Sequence, residues 1–384
     1  MGPVPARPRV HQMEDPVTAP DPRHRGWLLA SAGPLVSAYD VVLLDLDGTV
    51  YVGETAVPGA VAVVAALRRQ GVRPAFVTNN ASRTPGAVAD QLTGLGMPCS
   101  PSEVVTAAQA GAQLVAARVP PGAKVLVVGG EGVRDALLEA GLQPVDRADA
   151  GAEAVLQGWS PNLDWSHLAE GAYAIAAGLP WIVTNTDRTL PTPRGIAPGN
   201  GSFVALLSGT TGRSPDAVAG KPMPPLLEQS VARLAAVHPL VVGDRLDTDI
   251  EGATAVGLPS LLVLSGVTDV RTLLAATPGQ RPTYLARDVA GLFDVHRTPV
   301  QVPAGDGAGW RCGASAVVVA SSSGLSIIAE DASAGGPSEH GQPAADDLLR
   351  ACCVAAWAAA DAGHELAVSE ELVATLQAAP TSGP

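Results

Sequence analysis

Two short acidic stretches hold the residues of this sequence that could do chemistry. The first closes VVLLDLDGTVYVG (41–53), where Asp45 and Asp47 follow four aliphatic residues; the second is VVGDRLDTDIEGA (241–253), with Asp244 behind a glycine and Asp249 five residues on. An apolar run of this kind reads as a strand buried on both faces, and open α/β sheets bind ligands in the crevice beyond the carboxyl ends of their strands. Side chains two apart on a strand share a face, so Asp45 and Asp47 can enter one crevice. Carboxylates gathered a few ångströms apart repel by roughly 4 kcal/mol per pair at an effective dielectric of 20, so a cation must sit among them. Oxygen-only ligands with room for water and phosphate suit Mg²⁺, and the loop spacing of an EF-hand calcium site is absent. A second cation is offered by Lys221 in AGKPMPPLL (219–227). Pro222 biases this lysine away from helical geometry, and its Gly, Pro and apolar neighbours favour an inward orientation.

These residues need elements to position them. Strand 41–46 is followed by the helical pattern PGAVAVVAALRRQG, with Pro58 near its start and Gly71 past its end, and then by RPAFVTNN, a strand closing on Thr78, Asn79 and Asn80. SRTPGAVADQLTGLG and SEVVTAAQAGAQLVAARV read as two further helices. The βαβα rhythm predicts a doubly wound sheet. It restarts near Val119 as a compact α/β series and closes with DRTLPTPRGIAPGNGSF (187–203), a Pro/Gly-rich stretch read as a binding loop; after Gly212 the first rhythm resumes. The expected architecture is α/β: a doubly wound Rossmann-like parallel core from 39–118 and 214–295, with an inserted α/β cap at 119–213. A small α+β extension at 307–384 has no assigned chemistry. Residues 1–38, Pro-rich and without period, read as a disordered extension.

Bulk properties narrow the partners. A chain of 384 residues exceeds one ordinary core, and a formal charge of −13 argues against a nucleic-acid or anionic-membrane surface. Cys99, Cys312, Cys352 and Cys353 lack framework spacing, which points to reduced thiols and a cytoplasmic compartment, with the adjacent pair read as core packing. The histidines are scattered, which argues against structural zinc. No apolar run reaches the ~18 residues of a spanning helix. RHRGWLLASAGPLVSAYD (23–40) is loosely like a secretory leader, but Pro34 interrupts it.

Taken in order, DLDGT (45–49), VTNN (77–80), GKP (220–222) and GDRLDTD (243–249) resemble the four motifs of the haloacid dehalogenase-like (HAD) phosphatase superfamily, over about residues 39–295. The insertion, with GGEG, TNTD and PGNGS, resembles the subclass IIA cap of nitrophenyl-phosphatase-like enzymes. That resemblance implies Asp45 as nucleophile, Asp47 as general acid and then base, and Thr78 with the Asn79 backbone on the phosphate oxygens. Lys221 would neutralise phosphate and Asp45. Asp45, the Asp47 carbonyl and Asp244 would ligate Mg²⁺, with Asp249 holding a metal-bound water. Selection among substrates is expected from Asn185, Asp187, Arg188 or Arg194 in the cap loop. The implied substrate is a small phosphorylated metabolite, glycerol 3-phosphate first and 2-phosphoglycolate second. A nucleoside monophosphate or pyridoxal phosphate is the alternative, although Trp159, Trp165, Tyr173 and Trp181 read as core residues rather than base-stacking ones. A phosphate-binding regulatory protein without turnover is the alternative of another class. Homo-oligomerisation is left open.

Overall fold

The computed structural model describes residues 27–192, 194–304, 307–313, 315–321, 324–328, 346–364 and 367–378. Its centre is a six-stranded sheet in the order Tyr284–Ala286, Ser260–Val263, Pro239–Gly243, Val41–Leu44, Arg73–Thr78, Val104–Thr106. Every pairing in it is parallel. The aliphatic runs explain this: Val41–Leu44 is buried on both faces, as a strand sandwiched between helical layers must be. The fold is α/β and doubly wound, as expected. From Val41–Leu44 the chain winds outward in one direction through Arg73–Thr78 and Val104–Thr106, and from Pro239–Gly243 in the other. The two central strands therefore flank the topological switch point, where such sheets open a crevice.

A second, five-stranded parallel sheet is built from the insertion, in the order Ala217–Val218, Trp181–Val183, Ala154–Gln157, Lys124–Val128, Gln143–Val145. The expected boundary at 213 falls short: Ala217 and Val218 pair with Ile182 and Val183, so the cap sheet runs on to Val218, three residues before Lys221. SEVVTAAQAGAQLVAARV is also not one helix: Ser102 and Glu103 finish a single 3-10 turn. Val104–Thr106 is a strand beside Phe76–Thr78, and the helix Ala107–Ala116 begins only where Thr106 and Gln109 form a capping box. Two β-branched valines and a capping threonine favour that split.

The expected disordered span is too long. Residues 1–26 lie outside the described residues, but Leu28, Leu35 and Val36 are buried, the Ser31 N–H donates to the His296 carbonyl at 3.0 Å, and the His296 N–H donates to Ser31 Oγ at 2.8 Å. Apolar residues spaced through a Pro-rich stretch suffice to pin it without any helical period. The carboxyl-terminal region forms an antiparallel sheet (Val300–Ala304, Gly307–Arg311, Val317–Ser321, Gly324–Ile328) and the helices Asp347–Asp361 and Glu370–Gln377. It is not a separate body. Cys352, Cys353 and Trp357 share one apolar cluster with Leu262, Leu273 and Leu285 of the six-stranded core, so this helix serves as part of the layer over one face of the sheet. No helix among the described residues is long and apolar enough to cross a membrane.

Candidate active site

The register of the central strands decides where the acids meet. Leu44 lies opposite Val242 and Phe76, so Asp45 leaves the sheet level with Gly243 and Val77, with its N–H donating to the Val242 carbonyl at 2.8 Å. Asp244 and Thr78 follow one residue later on the two neighbouring strands. Lys221 arrives from the short connection between the cap strand Ala217–Val218 and the helix Pro224–Arg233, next to a cis peptide bond to Pro222.

The Lys221 ammonium is buried and donates to three acceptors: Asp45 Oδ1 at 2.6 Å, Asp249 Oδ1 at 2.6 Å and the Val77 carbonyl at 3.3 Å. Burial works against its charge, but the two carboxylates overcome this and hold its pKa above the usual lysine value. Asp249 Oδ2 accepts the Arg245 N–H at 3.1 Å, so both of its oxygens are engaged. Asp244 Oδ2 accepts the Val267 N–H at 2.6 Å, whereas Asp244 Oδ1 is buried with no hydrogen-bond partner. Two glycines make room for this carboxylate. Gly48 has φ +93°, and a Cβ there would stand 2.5 Å from Asp244 Oδ2; a Cβ on Gly266 would collide with the same oxygen.

Asp45, Asp244 and Asp249 offer oxygens within 4.8 Å of one another. One ammonium cannot neutralise three acids. Burial, followed by repulsion from Asp249 and Asp244, drives the Asp45 carboxyl well above its ordinary pKa against the pull of Lys221; burial and Asp249 push Asp244 up to about 7. A lone buried carboxylate oxygen in an all-oxygen donor set, with excess negative charge around it, fits a small hard divalent cation.

Above this cluster lies a cavity of about 380 Å³, between the strand ends of the core and the underside of the cap. Asp45, Asp47, Thr78, Asn79, Asn185, Asp187 and Lys221 all line it. Asp47 is accessible from the cavity, yet burial among protein groups raises its carboxyl pKa, with Lys221 and then Arg83 opposing. Thr78 is buried, and its Oγ1 accepts the Asn80 N–H at 3.0 Å. Burial also raises the Asp187 carboxyl, despite a hydrogen bond from Asn79 Nδ2 at 3.2 Å.

Two expected residues are not brought in. Arg188 and Arg194 are exposed and do not line the cavity. The hairpin Thr189–Thr192/Gly195–Pro198 presents Thr189 and Leu190 there instead. The aromatic residues divide as well: Trp181 is buried as expected, but Trp165 and Tyr173 are 78% and 59% exposed on the helix Trp165–Ala176, and Trp159 lines the cavity. Sequence reasoning passed over Arg245, Ser265 and Asn200, which also line it. Arg245 lies inside the quoted acidic motif and grips Asp247 through two hydrogen bonds of 3.0 and 2.8 Å; its place between Asp244 and Asp249 was the available signal.

Comparison with known proteins agrees with this geometry. A family model described as haloacid dehalogenase-like hydrolase matches residues 42–143, and a second HAD-hydrolase-like model matches 218–292. The chain is 45% identical over 312 residues to D-glycerol 3-phosphate phosphatase of Mycobacterium tuberculosis, covering 78% of this chain and 86% of that one. It is 38% identical over 235 residues to the 5'-nucleotidase YutF of Bacillus subtilis, covering 61% and 90%. Among solved structures, glycerol phosphate phosphatase from M. tuberculosis in complex with magnesium superposes with a TM-score of 0.74 at 39% identity, covering 90% of this chain and 99% of that one.

Proposed function

Because this chain belongs to the haloacid dehalogenase-like hydrolases, we propose that it is a Mg²⁺-dependent phosphatase that cleaves glycerol 3-phosphate with Asp45 as nucleophile. The observation that carries the reading is Lys221 bridging Asp45 and Asp249 at 2.6 Å each, beneath a cavity that Asp47 also lines. An Asp45 carboxylate oxygen attacks phosphorus, and the bond from phosphorus to the ester oxygen breaks in line. Asp47, whose raised pKa favours the protonated form, gives its proton to the leaving alkoxide. The product alcohol departs and leaves an aspartyl-phosphate. Asp47, now a carboxylate, takes a proton from water as the water oxygen bonds to phosphorus and the link to Asp45 breaks, which returns both acids to their starting state. Lys221 fixes the Asp45 carboxylate throughout and offsets charge at the phosphoryl group, where Thr78 and the Asn79 backbone N–H are the proposed oxygen contacts. Asp45, Asp244 and the Asp47 carbonyl would hold Mg²⁺, with Asp249 reaching it through water, and the ion would supply the remaining neutralisation that lets an anion approach an anion.

A second acid within reach of the leaving group favours phosphoester hydrolysis over a phosphate-binding sensor, which has no alkoxide to protonate. The size of the cavity favours a small alcohol. The cap is read as 119–218, the catalytic core as the two segments around it, and free thiols with a soluble metabolite substrate fit a cytoplasmic enzyme. A nucleoside monophosphate is the second reading, favoured by Trp159 on the cavity wall, where a base could stack. Purified protein assayed against glycerol 3-phosphate, 2-phosphoglycolate, pyridoxal phosphate and nucleoside monophosphates, with and without Mg²⁺, tests both. Continuous phosphate release, fastest with glycerol 3-phosphate and abolished by chelation, is expected; release of at most one equivalent would refute turnover.

A further inference from the structure

The underside of the cap is tied to Lys221 by a row of side-chain amides. Asn79 clasps the backbone of Lys221 from both sides: its Oδ1 accepts the Lys221 N–H at 2.8 Å and its Nδ2 donates to the Lys221 carbonyl at 2.9 Å. Asn185 of the cap donates its Nδ2 to the Asn79 carbonyl at 2.7 Å. Behind it, Asn200 Nδ2 donates to the Asn185 carbonyl at 2.7 Å, Gln157 Nε2 reaches Asn200 Oδ1 at 3.4 Å, and the Trp181 indole N–H closes the row on Gln157 Oε1 at 3.0 Å. Asn185, Asn200, Gln157 and Trp181 are all buried. An amide has distinct donor and acceptor ends, so a clasp on one residue's N–H and C=O fixes its orientation, and buried polar groups satisfied in series leave few alternative arrangements.

We propose that Asn79 is a positioning residue which, through the row Asn185–Asn200–Gln157, couples the seating of the cap to the placement of the Lys221 ammonium between Asp45 and Asp249. The proposal rests on the hydrolase reading above and assigns Asn185 to holding Asn79 rather than to choosing the substrate. Lys221 meets two carboxylates at 2.6 Å, a geometry that tolerates little backbone drift. Asn185 lines the cavity, but its amide nitrogen donates to the Asn79 carbonyl and its Oδ1 accepts the Asp187 N–H at 3.2 Å, so these two contacts set the orientation of its amide. Cap and catalytic lysine then move as one unit, and a cap seated wrongly lowers the rate whatever alcohol is esterified.

The test compares Asn185→Ala, Asn79→Ala and their combination on p-nitrophenyl phosphate and glycerol 3-phosphate at saturating Mg²⁺. Asn185→Asp, nearly the same size but with an acceptor in place of the donor, stands in should the alanine variant fail to fold. Wild-type turnover is read first; without it the hydrolase reading and the proposal fall together. Given turnover, kcat in the Asn185 variant is expected to drop roughly 10- to 100-fold, by the same factor for both esters and with KM little changed. The double variant should be no slower than Asn79→Ala alone. Losses that differ between the two esters, a rise in KM at constant kcat, losses that multiply in the double variant, or no loss at all would each overturn the proposal.

Discussion

At the scale of single residues the site is an unbalanced charge cluster, and that imbalance makes predictions. Asp244 has one oxygen on a backbone N–H and one buried without a partner, a state that costs stability until a cation takes it up. Mg²⁺ at a hundredfold excess over its dissociation constant should therefore stabilise the protein by about 3 kcal/mol, read as a rise in melting temperature. Asp244→Asn should melt above the wild type without Mg²⁺, because a repelling charge is removed, and should lose most of the response to the ion. A wild-type melting temperature indifferent to Mg²⁺ would contradict the assignment of these oxygens. The residues themselves were legible in the sequence because each sits at a strand end or a helix entrance, where spacing alone sets direction. Arg188 and Arg194 were not, because a hairpin turns them to the outside, and no local pattern in a Pro/Gly-rich loop reveals which residues a turn leaves on the cavity side.

Among the elements, the helix Asp347–Asp361 needed the structure to interpret. Its alanine-rich sequence shows a helix but not its partner. Trp357 donates its indole N–H to the Leu273 carbonyl at 3.0 Å, and the Arg281 guanidinium lies 5.5 Å from the ring centroid while it pairs with Asp361. Trp357→Ala should cost about 3–5 kcal/mol in denaturant unfolding, since a large ring buried between helix and core leaves a cavity. The same seam holds His296, buried against the Tyr284 ring, its Nε2 at 2.8 Å from the Gly291 carbonyl and its Nδ1 at 3.3 Å from Arg350. Burial, and then the Arg350 charge, lower its pKa to about 4 from an ordinary 6.5. The folded state thus keeps the imidazole neutral, so its contribution is complete above pH 6.5 and is lost as pH falls from 6.5 towards 4, on the order of 3 kcal/mol in all. Relative to the wild type, His296→Gln should flatten the acid limb of stability over that window; parallel pH profiles for the two proteins would refute this.

For the whole molecule, two parallel sheets are arranged so that the switch point of one faces the underside of the other. The order of the strands was legible because aliphatic runs alternate with helical periods, and the insertion announced itself by restarting that rhythm. Its far edge was not, since Ala217 and Val218 make a two-residue strand whose pairing with Trp181–Val183 depends on contacts more than thirty residues apart. The packing of the carboxyl-terminal region was equally hidden, because apolar faces show that something is covered and not what covers it. Its covering role explains why the fold extends past residue 295 although none of its described residues lines the cavity. The most direct test of the central claim is acid quenching of the protein during turnover of a radiolabelled phosphate ester, followed by peptide mapping. Acid-stable, hydroxylamine-sensitive label is expected on the peptide that contains Asp45, with neither label nor phosphate release in Asp45→Asn. Sustained phosphate release by Asp45→Asn, or label on another residue, would contradict it.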